Sequence, residues 1–464
     1  MASCGLTESV AVLVLEKCRS SIQLRQIEAQ LIRHGLHCNT RIGHRFIGAC
    51  QSHGLLSSAL LLFTTLPPTP HIFIFNTLIK ALSQCQTLTP LLIYSHMRRS
   101  CLLPNNFTFP PLFNSLSHTR HVTHAQCLHT HVLTLGHHRD LFVHNSLLHL
   151  YASSRHVSLC RRLFDEMPHN DVVSWTVLIA AYNNVGDHTR SLLVFQQMQY
   201  AGFAPNRVTM INALDACAHS GNIEMGEWIH GAVKRDGWEV DVVLGTALID
   251  MYVKCGRVEE GLGVFWRMKD KNVFTWNAVI KGLALAKSGH EAIWWFKRME
   301  SDGVRPDEVT LLAVLSACSH AGLVDQGREV FRLLLDGSYG FLPNVKHYAC
   351  MVDVLARSGH LKEAVEFMGS MPFEPTKTMW GSLLAACKSQ GALELGLLAA
   401  TKLLQMEPEN TAYYVHLSNL YAAMGRWSDV EKVRGVIKDR HLTKDLGCSS
   451  VEVEHQSHVS ELFA

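Results

Sequence analysis

Two sets of side chains in this chain have the types and spacing to do chemistry. The first is a periodic row of small hydrogen-bonding residues. Val172 to Ile179 reads VVSWTVLI and Val273 to Ile280, 101 residues later, reads VFTWNAVI, with Thr176 exchanged for Asn277. Short hydroxyl and amide side chains donate and accept and carboxylates accept, so a row of them could read hydrogen-bonding edges one by one. The second set is 14 cysteines and 28 histidines. Metal binding needs ligands at fixed spacing. No two cysteines form Cys-x-x-Cys, and no carboxylate cluster stands at metal-ligand spacing. The cysteines read as reduced, buried small residues in a reducing compartment. Eight histidines fall between His118 and His144, including His129, His131 and the pair His137, His138. Without supporting ligands they read as a solvated edge, and no metal or cofactor is expected.

The period shows what must position the polar row. LFVHNSLLHLYASSRHVSLCRRLFDEM from Leu141 matches VVLGTALIDMYVKCGRVEEGLGVFWRM from Val242, and RVTMINALDACAHSGNIEMG from Arg207 matches EVTLLAVLSACSHAGLVDQG from Glu308. Each 101-residue block divides into units of 31, 35 and 35 residues, starting at Leu141, Val172 and Arg207, then at Val242, Val273 and Glu308. An earlier block starts at Arg41, Ile72 and Asn106, and a last unit at Val345. Within a unit, Trp175, Leu178, Ile179 and Tyr182 fall at i, i+3, i+4 and i+7 on one helical face, and Gly186 ends the helix. Ala292, Phe296 and Met299 give the second helix a matching stripe. One hairpin cannot bury its apolar side alone, so neighbours must stack. The expected fold is all-α, a right-handed superhelical solenoid of helix-turn-helix repeats.

Bulk properties narrow the rest. Lys plus Arg number 42 against 40 acids, a formal charge of +2, so a nucleic-acid reading must rest on local chemistry. Gly54 to Ile79 holds no charged residue, yet Pro67, Pro68 and Pro70 cut it into two core helices, and no membrane span is expected. The first ten residues carry one Glu and no basic residue, which is neither a secretory signal nor an Arg-rich presequence. Adjacent Trp294 and Trp295 cannot face one way and read as packing between repeats. Lys432, Arg434, Lys438, Arg440 and Lys444 form a basic run, read as a solvated face with RNA or partner contact the alternative.

Units such as VFTWNAVIKGLALAKSGHEAIWWFKRMESDGVRPD resemble pentatricopeptide repeats. The 31/35/35 alternation is similar to the land-plant PLS subclass, which mixes short, standard and long repeats. The resemblance implies four regions: 1–40 with a degenerate repeat, the repeat array at 41–376, an E domain at 377–446, and a truncated E+ type extension at 447–464. The E domain is carried by MWGSLLAACKSQGALELGLLAATKLLQMEPEN and TAYYVHLSNLYAAMGRWSDVEKVRGVIKDR, and the extension by GCSSVEV, where Ser450 replaces the usual aromatic.

On a helical wheel Thr176 lies about 100° from Trp175, at the border of the buried stripe. A row at that border suits single-stranded RNA, whose splayed bases can be read one per repeat. In the family, recognition uses the fifth residue of a repeat with its last. Asn76 with Asn105 then implies a pyrimidine, and Asn145 with Asp171 implies U. Thr176 with Asn206 implies A, Thr246 with Asn272 implies A, and Asn277 with Asp307 implies U. Long repeats offer Pro110, Ile211 and Leu312 and stay open, and Arg45 with His71 and Ala349 with Thr376 depart from the readable pairs. The implied target is Y-n-U-A-n-A-U-n-n. Second residues Phe73, Phe142, Val173, Val243 and Phe274 would hold the bases between repeats.

The resemblance implies a site-recognition factor for organellar C-to-U RNA editing. A zinc deaminase needs His-x-Glu and Cys-x-x-Cys. No histidine here is followed two residues later by Glu, so the chain is read as no enzyme, with a DYW-type cytidine deaminase and other editing factors acting in trans. The mitochondrion is the expected compartment, with the chloroplast as alternative. Competing readings are an organellar RNA stabilisation or splicing factor, and a protein-binding scaffold like tetratricopeptide solenoids.

Overall fold

The computed structural model describes residues 8–36, 39–64, 71–84, 87–119 and 121–439. Among these, 26 α-helices and no strand are found. The chain forms two compact units, one up to Cys255 and the other from Gly256. Each unit is an α-solenoid in which the first helices of successive repeats pack side by side, with each second helix against its own first.

The apolar stripes account for the packing. Leu178 and Ile179 are fully buried, with Trp175 and Tyr182 close behind. Gly186 at φ 84° ends the Val172–Val185 helix in the left-handed region, where a side chain would be strained. Ala292, Phe296 and Met299 are buried in the Gly289–Ser301 helix. The two adjacent tryptophans divide as their spacing requires. Trp295 is buried against Phe265, Trp266 and Trp276, while Trp294 is exposed.

Several expectations change. The histidine run is not a solvated edge throughout. His131 Nδ1 lies 3.0 Å from the Tyr94 hydroxyl, His129 Nδ1 lies 3.1 Å from the Tyr151 hydroxyl, and His144 is buried. Burial lowers the pKa of all three, and His129 and His131 act as ties between helices. Cys50, Cys160, Cys217 and Cys318 are buried thiols pushed up to about 12 by burial, but Cys101 and Cys127 are exposed. The first unit of the array starts one residue before Arg41. Its helix is Thr40–Ser52 and its cap is Asn39, so His44 rather than Arg45 takes the fifth place.

Lys432, Arg434 and Lys438 are exposed, whereas Arg440 and Lys444 lie outside the described residues. So do Pro67, Pro68 and Pro70, the extension at 447–464 with Ser450, and the end of the E region. Among the described residues no helix is long and apolar enough to cross a membrane.

Candidate nucleic-acid interface

The geometry of the polar row follows from how each first helix begins. The first turn of a helix leaves backbone N–H groups without partners, and an Asn or Asp side chain at the cap accepts from them. Asp171, Asn206, Asn272 and Asp307 each cap the next helix and close a capping box with its third residue, Ser174, Thr209, Thr275 and Thr310. The last residue of one repeat is therefore held by the helix of the next.

The fifth residues meet these caps. Asn277 Nδ2 donates to Asp307 Oδ1 at 3.0 Å. Asn76 Nδ2 donates to Asn105 Oδ1 at 3.0 Å. Asn145 Nδ2 lies 3.2 Å from both oxygens of Asp171. Thr176 does not touch Asn206 directly. Its hydroxyl lies 2.6 Å from the Val172 carbonyl and 2.6 Å from Thr209 Oγ1, which in turn donates to Asn206 Oδ1 at 2.9 Å. Thr246 donates to the Val242 carbonyl at 2.6 Å, and Asn272 accepts from Thr275 N at 3.2 Å. Thr246 and Asn272 belong to the same repeat but to different compact units. Thr176 and Asn277 are only 7% and 6% exposed, so each offers an edge rather than a whole side chain.

The remaining atoms decide what each pair can read. At Asn277 one Nδ2 proton goes to Asp307, leaving the second as a donor. Asp307 Oδ2 has no partner among the described residues and can accept. One donor beside one acceptor complements a carbonyl oxygen and the N3–H of uracil. At Asn76 and Asn105 both remaining groups are amide protons, which complement two acceptors, as cytosine presents at N3 and O2.

The candidate stacking residues Phe73, Phe142, Val173, Val243 and Phe274 are 48–64% exposed, unusual for large apolar side chains on otherwise packed helices. Sequence reasoning passed over Phe107, Val208 and Val309, the second residues of the long repeats, which are equally exposed. Their shared second place was the available signal. Phe73, Asn76, Asn105, Phe142, Asn145, Asp171 and Val173 line one open groove of about 1430 Å³, with His44, Phe107 and Lys80. His44 stacks on Phe73 with ring centroids 4.7 Å apart, and its pKa is lowered by burial and by nearby Arg45 and Lys80. The groove thus joins exposed apolar faces to hydrogen-bonding edges, the combination that single-stranded nucleic acid needs.

Elsewhere, His188, Asp215 and His219 bring ligand atoms within 4.8 Å of one another. The Lys254 ammonium lies 3.4 Å from His219 Nε2, and the two imidazoles stack at 4.7 Å. That positive charge opposes a cation there; His219 pairs with Asp215 at 3.3 Å, and His188 joins the trio only by ring stacking.

Models of the PPR repeat match residues 142–172, 246–273 and 347–374, those of a PPR repeat family and a pentatricopeptide repeat domain match 271–320 and 169–219, and an E motif matches 391–452. One pentatricopeptide repeat-containing protein of Arabidopsis thaliana is 36% identical, covering 93% of this chain and 88% of its own length. Another is 36% identical over 94% of this chain and 97% of its own. A crystal structure of the pentatricopeptide repeat protein PPR10 in complex with an 18-nt psaJ RNA element has a TM-score of 0.74. It is 17% identical and aligns with 94% of this chain and 68% of that chain, a likeness of fold.

Proposed function

Because this chain belongs to the pentatricopeptide repeat family and carries its E motif, we propose that it binds single-stranded RNA in a sequence-specific way. The observation that carries the proposal is the geometry of the fifth and last residues. Asn277 with Asp307, Asn145 with Asp171 and Asn76 with Asn105 meet within 3.2 Å and leave donors and acceptors over, beside exposed second residues. The RNA complex of PPR10, a protein of the same fold, supports this reading.

The proposed target is Y-n-U-A-n-A-U-n-n, and the leftover amide protons of Asn76 and Asn105 favour C at its first place. The E motif supports a role as site-recognition factor for organellar C-to-U editing, in which a DYW-type deaminase partner acts on a cytidine a few nucleotides downstream. The mitochondrion is the proposed compartment. Two measurements test the reading. Purified protein should bind the proposed string and lose affinity on transversion of U-A-n-A-U; unchanged affinity would sink the RNA address. Sequencing organelle transcripts from a loss-of-function line should show one editing event lost downstream of that string, and intact editing throughout would remove the editing role.

A further inference from the structure

Each reading pair has a neighbour that the two-residue description omits. Thr310 Oγ1, on the following repeat, lies 2.6 Å from Asn277 Oδ1 and 2.9 Å from Asp307 Oδ1, and accepts the Asp307 N–H at 3.1 Å. Thr108 Oγ1 lies 2.8 Å from Asn76 Oδ1 and 3.1 Å from Asn105 Oδ1. Thr209 Oγ1 joins Thr176 to Asn206. A hydroxyl has one proton, which Thr310 can give to the Asn277 carbonyl at 2.6 Å or to Asp307 Oδ1 at 2.9 Å, and the shorter contact favours Asn277. A flipped amide would set Oδ1 against the Asp307 carboxylate and Nδ2 against the hydroxyl proton. The carboxylate and the hydroxyl together fix which atom faces the groove.

We propose that the third residue of the next repeat is the third member of each base-reading site, a positioning residue that fixes the orientation of the fifth; this rests on the RNA-binding function proposed above. The sequence register supports it independently. The third residues that follow readable pairs are Thr108, Ser174, Thr209, Thr275 and Thr310, all hydroxyls. Those that follow unreadable pairs are Ile74, Val143, Leu244, His347 and Met379, none a hydroxyl. Helix capping alone does not explain the difference, since Asp140 and Asp241 cap their helices with Val143 and Leu244 at that place.

Two slots with the same Asn and Asp provide the internal contrast. At Asn277 the bridge is made. At Asn145 the shorter Ser174 turns its hydroxyl to the Asp171 carbonyl at 2.8 Å, and Asn145 Oδ1 is buried with no partner. The Asn277 slot should therefore discriminate U from C more sharply.

The test measures Kd for RNAs carrying U, C, A or an abasic site at each of the two slots, with the full chain, Thr310→Val, Thr310→Ser and Ser174→Thr, and a melting curve for each variant. Thr310→Val should lose about three- to tenfold of its U-over-C discrimination at its own slot, the worth of one hydrogen bond. Its affinity for RNA abasic there should stay at the parent value. Thr310→Ser should retain part of the discrimination, and Ser174→Thr should gain it at the Asn145 slot. Equal loss on every RNA, the abasic one included, would make Thr310 merely structural and overturn the inference. So would discrimination unchanged in both Thr310→Val and Ser174→Thr. A parent that prefers no base at either slot would overturn the RNA-binding reading itself, and the inference with it.

Discussion

The readable repeats and the long repeats both end on an Asn or Asp but engage that residue differently. In the readable repeats with Asn at the fifth place the cap turns to that residue, as Asp307 does to Asn277 and Asn105 to Asn76. In the long repeats it turns to the first residue of its own repeat. Asn106 Nδ2 donates to Asp140 at 3.0 Å, Arg207 pairs with Asp241, and Asn344 Nδ2 donates to Glu308 at 2.9 Å. Their fifth places hold Pro110, Ile211 and Leu312, which have no edge to offer. The same Asn or Asp is thus part of a reading edge in one class and a clasp in the other. Yet both classes keep an exposed apolar second residue, so long repeats are equipped to stack a base without selecting it.

The largest expected effect breaks or upholds that division. Stacking is worth ~1–3 kcal/mol per base for aromatic side chains. Phe142→Ala in a readable repeat and Phe107→Ala in a long one should weaken RNA binding by similar amounts within that range, whatever base is present. If Phe107→Ala binds like the parent, long repeats are spacers and the shared second place has no common role.

Next in size is a change of letter. Asp307→Asn keeps a good helix cap, but replaces the accepting Oδ2 with a second set of amide protons. The slot should move from U toward C, with the preference ratio shifting about tenfold. Titration against RNAs that differ only at this base reads the ratio directly, and an unshifted ratio would show that Asp307 serves as a cap alone.

These effects are anchored in residues that the sequence displayed unevenly. The period, the helical stripes and the fifth, last and second residues were legible because they recur at fixed spacing in unit after unit. The start at Thr40 was not, because that repeat lacks a readable pair and its cap, Asn39, precedes a helix whose polar residues mimic the wrong register. The histidine ties were hidden because Tyr94 and Tyr151 stand 37 and 22 residues from their partners, distances that no local pattern encodes. The threonine bridges were hidden for a subtler reason. Thr310 and Thr209 are fully buried and complete capping boxes, so in sequence they look like helix starts alone. Only the fold brings their hydroxyls back to the preceding repeat.

A smaller effect probes whether the long class can be converted. Leu312→Asn alone supplies a polar fifth residue, but Asn344 remains bonded to Glu308. Combining it with Glu308→Ala releases the cap. The double variant should gain up to about threefold preference for a pyrimidine at that slot, less than one full hydrogen bond because His347 supplies no hydroxyl. Competition binding against RNAs varied at that place alone would show it. A gain as large with Leu312→Asn alone would mean that the clasp does not restrain the cap.

The smallest effect separates the two classes by pH. Readable caps close on hydroxyls, which do not titrate, whereas the long repeat before Val345 closes on His347. Its Nδ1 accepts the Asn344 N–H at 3.1 Å, and its Nε2 donates to the Glu308 carbonyl at 3.2 Å, an arrangement that requires the neutral ring. Burial lowers its pKa below the ordinary 6.5, although Glu308 pulls the other way. Above that value both folded and unfolded chains hold the ring neutral and the cap is intact. As pH falls through it, the unfolded chain takes up a proton that the folded one resists, so stability declines. The loss attributable to this cap should stay within ~1 kcal/mol, the scale of one helix cap. His347→Thr, which installs the readable-class hydroxyl, should flatten the decline in melting temperature between neutral pH and pH about 5.5. An equally steep decline in that variant would assign the acid sensitivity to other histidines with lowered pKa, such as half-buried His129 and His131 and buried His144, instead.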